Sequence, residues 1–254
     1  MEELNWLIEY LLHEMPEYQP QAKCYHGDSF GLFRALVNVR PPKAASPEFL
    51  SRQDDCLQAR LAQKGITEAD ALPFDADGLS VWRGDITTLC CDGIVNAANS
   101  ALLGCFCPNH GCIDNAIHTF AGVQLRAECA RMMQGAKEPP GRARMTPAYN
   151  LPSQYILHTV GPIVTGELTA ADGETLASCY RSCLDLAEKR ALGTVAFCCI
   201  STGEYHFPNE EAARIAISTV RQHAAVNEKR IKVIFNVFKE HDETIYRRIL
   251  ASDR

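Results

Sequence analysis

Apolar positions recur at helical spacing over the first 75 residues and at strand spacing, alternating with helices, beyond them. Leu4, Leu7, Ile8, Leu11 and Leu12 share one helical face, and Pro16 closes that helix. Phe30 to Val39 carries Leu32, Phe33, Leu36 and Val37, a second short helix, followed by Pro41-Pro42. Pro47 to Gly65 predicts a third, closing at Gly65. Residues 1–75 therefore read as a helical N-terminal extension packed on the main domain, with no cluster of catalytic residue types. From Leu79 the pattern changes. Leu79–Arg83 and Gly93–Ala98 predict strands. Ile113–Met133 predicts one long helix, with Ile113, Ile117, Phe120, Ala121, Leu125, Cys129 and Met132 in helical phase. Ile156–Val160 predicts a strand, Thr175–Ala191 a helix, and Thr194–Ile200 a wholly apolar strand buried on both faces. Glu210–Ala225, Ile231–Val237 and His241–Leu250 follow as helix, strand and helix. This alternation over residues 76–254 implies the α/β class: a three-layer α/β/α sandwich with a mixed, mostly parallel central sheet. Ligands of such sheets bind beyond the carboxyl ends of the strands.

Charge narrows the ligand. The net charge of −6 argues against a broad electrostatic grip on nucleic acid. It leaves room for a small anion held by backbone amides. No apolar run reaches the length that spans a membrane, and the acidic start Met1-Glu2-Glu3-Leu4 is unlike a secretory signal. A cytoplasmic protein is expected. In a reducing compartment the 12 cysteines read as thiols or metal ligands rather than disulfides. Cys90-Cys91 and Cys198-Cys199 lie in apolar runs and read as small buried hydrophobes.

Four stretches carry candidate chemistry. Gly84-Asp85-Ile86-Thr87 follows the first strand of the main domain, where an aspartate commonly caps a turn. Asn96-Ala97-Ala98-Asn99-Ser100 ends the next strand, and its amides suit either a turn or a sugar. Ser201-Thr202-Gly203-Glu204-Tyr205 sits between an apolar strand and a helix. A small, hydroxyl-rich loop there lets backbone N–H groups converge on a diphosphate, though it matches neither a Walker A motif nor a dinucleotide fingerprint. The densest signal is Cys105-Phe106-Cys107-Pro108-Asn109-His110-Gly111-Cys112, with three cysteines and one histidine in eight residues. Thiolate and imidazole are the preferred zinc ligands. Cys105, His110 and Cys112 alone would leave an open position, as catalysis requires; Cys107 as a fourth ligand would close the site. Asp114, two residues on, either complements a helix dipole or serves as an acceptor or base beside the metal. His118, one turn along, reads as a packing or supporting residue.

In order along the chain, Gly84-Asp85-Ile86-Thr87, Asn96-Ala97-Ala98-Asn99-Ser100, His158-Thr159-Val160-Gly161-Pro162 and Ser201-Thr202-Gly203-Glu204-Tyr205 resemble the macrodomain family over roughly Leu79 to Leu250. The stretch from Gly104 to His118 is more specific and resembles the zinc-dependent macrodomains of microbes, where other hydrolytic macrodomains have a run of glycines. The helical extension also fits that class. The resemblance implies a protein-ADP-ribose hydrolase that cleaves at the anomeric carbon of the distal ribose and removes mono-ADP-ribose from modified proteins. It implies Asp85 and Ile86 at the adenine, Asn99 at the distal ribose, and Ile113 and Asp114 near the diphosphate and distal ribose. It further implies Ser201, Thr202, Gly203, Glu204 and Tyr205 as the second phosphate loop, and Cys105, His110 and Cys112 as ligands of Zn2+. On this reading Asn99 and Asp114 are the catalytic pair, and Cys112 also touches ADP-ribose. Members are often encoded with a sirtuin-type ADP-ribosyltransferase and lipoylation proteins, so a lipoyl-carrier protein is a candidate acceptor. Two alternatives use the same cleft: an ADP-ribose-binding module without catalysis, and a deacetylase of O-acetyl-ADP-ribose. A third, a structural zinc protein, requires Cys107 to complete a closed site.

Overall fold

The computed structural model describes residues 2–227 and 230–252. Helices α1 (Glu2–Glu14), α2 (Gln19–Lys23), α3 (Ser29–Val39) and α4 (Pro47–Lys64) come first. They are followed by β1 (Thr67–Glu68), β2 (Leu79–Arg83), β3 (Leu89–Cys90) and β4 (Gly93–Ala97), then α5 (Ile113–Ala121) and α6 (Val123–Met133). The chain continues through β5 (Ala143–Pro147), β6 (Tyr155–Thr159), α7 (Ala170–Lys189), β7 (Thr194–Phe197), α8 (Asn209–Val226), β8 (Lys232–Val237) and α9 (Glu240–Ser252). The central sheet has the order β2-β8-β7-β4-β6-β5. Every neighbouring pair is parallel except β5 with β6, so the mixed, mostly parallel sheet is as expected. Ile94, Val95, Ile156, Leu157, Val195, Ala196 and Ile234 are fully buried between the helical layers. None of the described helices is long and apolar enough to cross a membrane.

Sequence-encoded caps set several helix ends. Asp28 accepts from the N–H of Gly31 at the start of α3 (2.7 Å), and Ser46 accepts from Phe49 at the start of α4 (3.1 Å). Thr169 and Asp172 form a reciprocal capping box, so α7 begins at Ala170 and not at Thr175. The expected long helix is two. Gly122, with φ 98° and ψ 167°, breaks it into α5 and α6, a conformation open to glycine and hostile to residues with a Cβ. The apolar strand also ends earlier, at Phe197, because Cys198 to Ile200 already turn toward the following loop. Strand β5 carries no apolar alternation and ends in Pro147, which an edge strand tolerates.

The extension has its own core of Leu7, Leu11, Phe33, Leu36, Phe49 and Leu57, closed by Val123 and Phe120 of the main domain. Ala69, Leu72 and Phe74 pack instead on the larger core. Arg126 of α6 fastens the two bodies. Its guanidinium donates to the carbonyls of Val37 and Arg40 at the end of α3, and to Leu103 in the loop after β4. Carbonyls at a helix carboxyl end lack intrahelical partners, so a buried cation there answers a real deficit.

Candidate active site

A cleft of about 1270 Å³ lies beyond the carboxyl ends of the parallel strands. Asp85 and Ile86 reach it after β2, Ala98 and Asn99 after β4, Gly161 after β6, Ser201 to Tyr205 after β7, and Asn236 and Phe238 from the end of β8. Asp85, Ile86, Asn99, Cys105, His110, Cys112, Ile113, Asp114 and Ser201 to Tyr205 all line this one cleft. Cys107 does not.

At one end, Asp85 caps a short 3-10 turn that runs from Ile86 to Thr88. Its Oδ1 accepts from the Thr87 N–H (3.0 Å) and the Thr87 hydroxyl (2.6 Å). Its Oδ2 accepts from the Lys64 ammonium of α4 at 2.7 Å. Burial by itself would raise this carboxyl, but Lys64 and Thr87 hold it below the ordinary carboxylate range, so it is an acceptor at neutral pH.

At the other end, Cys105, His110 and Cys112 bring their ligand atoms within 4.8 Å of one another. Cys105 Sγ lies 3.6 Å from His110 Nδ1. A tetrahedral zinc ion with Zn–S of about 2.3 Å and Zn–N of about 2.05 Å sets that edge at about 3.6 Å, so the spacing fits such an ion. Cys112 is the N-cap of α5, and its Sγ accepts from the Asn115 N–H at 3.4 Å. Burial pushes the Cys112 thiol up to about 12; the Asn115 N–H opposes this and the neighbouring Cys105 reinforces it. Thiols bind a metal ion as thiolates, so binding there would release their protons. Cys107 stands outside the triangle with an exposed side chain. Its carbonyl, not its sulfur, is used, accepting from Asn115 Nδ2 (3.0 Å) and the His110 N–H (3.3 Å). The far nitrogen of His110, Nε2, lies 3.5 Å from Glu204, the kind of carboxylate that orients a metal-bound imidazole.

Asp114 lies between these ends in the first turn of α5 and is buried. Its Oδ1 accepts from Asn96 Nδ2 at 2.8 Å and its Oδ2 from Asn99 Nδ2 at 3.4 Å. Burial raises this carboxyl to about 6, against the pull of Asn96, Arg126 and Asn99. Asn96 also faces His158 Nδ1 (3.2 Å), and His158 Nε2 faces Thr146 Oγ1 (2.9 Å). The Asn96 amide is a donor, so His158 accepts at Nδ1 and carries its proton at Nε2. His118, His158 and Cys129 form a second, fully buried cluster, but both nitrogens of His158 are already engaged, which makes it a poor metal site. His118 lies 3.6 Å from Asp114, and neither ring nitrogen has a hydrogen-bond partner. Asn99 is committed to its loop. Its amide donates to Gly104 O (2.9 Å) as well as to Asp114, and its Oδ1 accepts from Ala101 N (3.0 Å). Of the two readings of the asparagines, the turn is the one seen: Asn99 closes it, and Asn96 and Asn99 together orient the Asp114 carboxylate.

The loop after β7 is folded on itself. Ser201 has φ 64°, and its carbonyl accepts from Phe207 N at 2.9 Å. Thr202 Oγ1 donates to Cys199 O at 3.1 Å. The N–H groups of Gly203, Glu204 and Tyr205 have no protein acceptor among the described residues. Successive free N–H groups in a tight turn form an anion cradle.

The extension supplies a wall of the cleft, through Tyr25, Asp28, Phe30, Arg34, Arg60 and Lys64. The extension thus packs on the main domain and also lines the cleft. Arg34 and Asn38 sit four residues apart and are the two polar residues of α3 after Ser29, a signal that the helix has a second working face. Phe238 was also missed. It follows β8 directly and is 78% exposed at the cleft, where a purine could stack.

Comparison with known proteins places this geometry. The Macro domain family model matches residues 95–216. A protein-ADP-ribose hydrolase of Treponema medium is 52% identical over 253 residues, covering 97% of each chain. A protein-ADP-ribose hydrolase of Staphylococcus aureus strain Mu50 is 47% identical over 229 residues, covering 89% of this chain and 86% of the other. Among solved structures, a Trypanosoma brucei macrodomain in complex with ADP superimposes with a TM-score of 0.67 at 32% identity, over 88% of this chain and 97% of that one. A mutant Oceanobacillus iheyensis macrodomain with ADPR gives 0.63 at 38% identity, over 68% and 92%.

Proposed function

This chain belongs to the macrodomain family, and from that premise we propose that it hydrolyses the bond between mono-ADP-ribose and protein with a zinc ion held by Cys105, His110 and Cys112. One observation carries the reading: an anion cradle, a carboxylate suited to an adenine amino group and a three-membered metal-ligand triangle share one cleft. A protein that only bound ADP-ribose would need no metal ligands at the sugar end.

The residues divide the work. Asp85 accepts from the adenine amino group, and Phe238 offers its face to the purine. The N–H groups of Gly203 to Tyr205 hold the diphosphate. These contacts lie away from the bond that breaks, so they position it. Zinc, when bound, supplies a Lewis acid or a site for water beside the distal ribose. Asp114, oriented by Asn96 and Asn99, accepts a hydrogen bond from a ribose hydroxyl or from the attacking water. Water oxygen bonds to the anomeric carbon, the bond to the acceptor breaks with its electron pair leaving on the acceptor carboxylate, and one proton is released.

Mono-ADP-ribosylated protein of known linkage, with a modified lipoyl-carrier protein as the first acceptor, tests this. Zinc-loaded protein is expected to release free ADP-ribose. Chelator, Cys105→Ala and His110→Ala should each abolish release while leaving ADP-ribose binding measurable. Release at the wild-type rate under chelation would overturn the zinc mechanism. Tight binding without release would identify a binding module, and acetate release from O-acetyl-ADP-ribose alone would identify a deacetylase.

A further inference from the structure

The loop that carries the metal-ligand triangle is gripped from outside the main domain. Arg34 of α3 directs Nε (3.1 Å) and Nη2 (2.7 Å) to Asn115 Oδ1, and Nη2 also donates to the His110 carbonyl at 2.9 Å. Asn115 is fully buried and passes the grip on. Its Nδ2 donates to Cys107 O (3.0 Å), and its N–H donates to Cys112 Sγ (3.4 Å). One turn further along α3, Asn38 Oδ1 accepts from Asn109 N at 2.9 Å, and its Nδ2 donates to Thr119 Oγ1 at 3.0 Å. Two side chains on one face of α3 thereby fix the loop at residues 107, 109, 110 and 112.

Short loops of this kind lose conformational entropy when they close on an ion. A loop already held in the closed shape loses less, and the difference appears as metal affinity. The planar fork of an arginine matches two acceptors at once, which a lysine ammonium cannot reproduce. We infer that Arg34 is a positioning residue for the Cys105–His110–Cys112 cluster, acting through Asn115, so that the N-terminal extension governs how tightly zinc is retained. The inference rests on the zinc reading of the cluster.

Zinc release to a chromogenic chelator from the full chain tests it, comparing wild type, Arg34→Gln, Arg34→Lys and Arg52→Ala. Arg52 is a solvent-facing arginine of the same extension, paired with Glu3 and Glu48. Release from both Arg34 variants should be roughly 10-fold faster than from wild type or Arg52→Ala, the usual scale for partners that orient metal ligands. In metal-free protein, amide exchange at Asn109 and His110 should quicken in Arg34→Gln while the sheet stays protected. That readout separates a loosened loop from an unfolded chain, and Arg34→Lys serves if the glutamine variant fails to fold. Unchanged release in both variants from a wild type that holds one zinc would overturn the inference and leave the zinc reading standing. Full recovery by Arg34→Lys would also overturn it, since charge without the fork would then suffice. A wild-type protein that takes up no zinc would overturn the zinc reading itself, and the inference with it.

Discussion

Replacing Gly104 with alanine tests whether the loop carrying Cys105 depends on close contact with the buried histidine beneath it. Gly104 has φ +77°, and a Cβ there would stand 2.7 Å from His118 Cγ, 2.9 Å from Cδ2 and 3.1 Å from Nδ1. The left-handed backbone costs an alanine about 1–2 kcal/mol. Carbon atoms prefer about 3.5–4.0 Å, and forcing extra bulk into a packed site costs about 1–3 kcal/mol more. His118 cannot step aside, because it is buried against Asp114 and His158. The total is about 2–5 kcal/mol. Moving the loop is the cheaper relief, at the expense of the Asn99–Gly104 bond, about 0.5–1.5 kcal/mol. Gly135 provides the control. Its φ is +79°, and a Cβ there meets nothing within 4 Å, so Gly135→Ala carries the backbone cost alone. At about 2–4 °C per kcal/mol, Gly135→Ala should lower Tm by about 2–8 °C and leave hydrolysis intact. Gly104→Ala should lose hydrolysis by at least about 10-fold, because a reacting group displaced by about 1 Å can cost about 100-fold. Its Tm should fall by less than the roughly 20 °C that the full strain would give. Thermal melts and single-turnover release of ADP-ribose decide the matter. Equal hydrolysis and equal zinc content in the two variants would refute the reasoning.

Further expectations follow from individual side chains. Phe238→Ala should weaken ADP-ribose binding by about 1–3 kcal/mol, the scale of base–aromatic stacking, without changing Tm, and calorimetry would show it. Cys107→Ser should keep full zinc content and hydrolysis, because its sulfur lies outside the triangle; loss of zinc on metal analysis would restore the closed structural site. Glu14 is buried enough that desolvation alone would raise its carboxyl, but Arg40 and Lys43 bring it below the usual range. A depressed native value means that its contribution is complete above about pH 4.3 and is lost as pH falls through the native value. In a Trp82→Phe background, fluorescence of Trp6 should therefore report loosening of the extension in acid. Arg40→Met should shift that transition to higher pH.

The local pattern of the sequence reveals the sheet and the motif loops because both are local. Ile94, Val95, Ile156, Leu157 and Val195 are apolar where strands are buried on both faces, and each motif loop follows such a strand. The break at Gly122 is hidden because Ile117, Ala121, Leu125 and Cys129 pack into the same core on either side of it. Periodicity runs through the break, and only the glycine marks it. Strand β5 is hidden for the opposite reason. Thr146 is its one buried residue, so it shows no apolar alternation, and it is defined by pairing with β6. The role of the extension was the least legible. Arg34 meets Asn115 across 81 residues and Asn38 meets Asn109 across 71, and no local pattern encodes such a contact.

The charge of the chain bears on how the cleft holds a diphosphate. Two of the cations that line it are already engaged: Lys64 by the Asp85 carboxylate, and Arg34 by Asn115 and the His110 carbonyl. Arg60 lies over the Phe30 ring at 3.7 Å. A doubly charged metal ion balanced by two thiolates would add no net charge. Lys239 also lines the cleft, but the carboxylates of Asp28, Asp85, Asp114, Glu204 and Asp242 outnumber these four cations, so the cleft has no excess of positive charge to attract an anion, in keeping with a chain of net charge −6. On the proposed function, the grip on a diphosphate would then rest on oriented N–H groups in the loop from Ser201 to Tyr205, which discriminate by position more than by charge. Such a grip would register the sugar of the proposed substrate against the Cys105–His110–Cys112 triangle at a fixed distance. The same reading gives the hydrogen bonds of Arg34 and Asn38 to the triangle's loop a purpose, since a rigidly placed ligand would gain nothing from a metal site that moved.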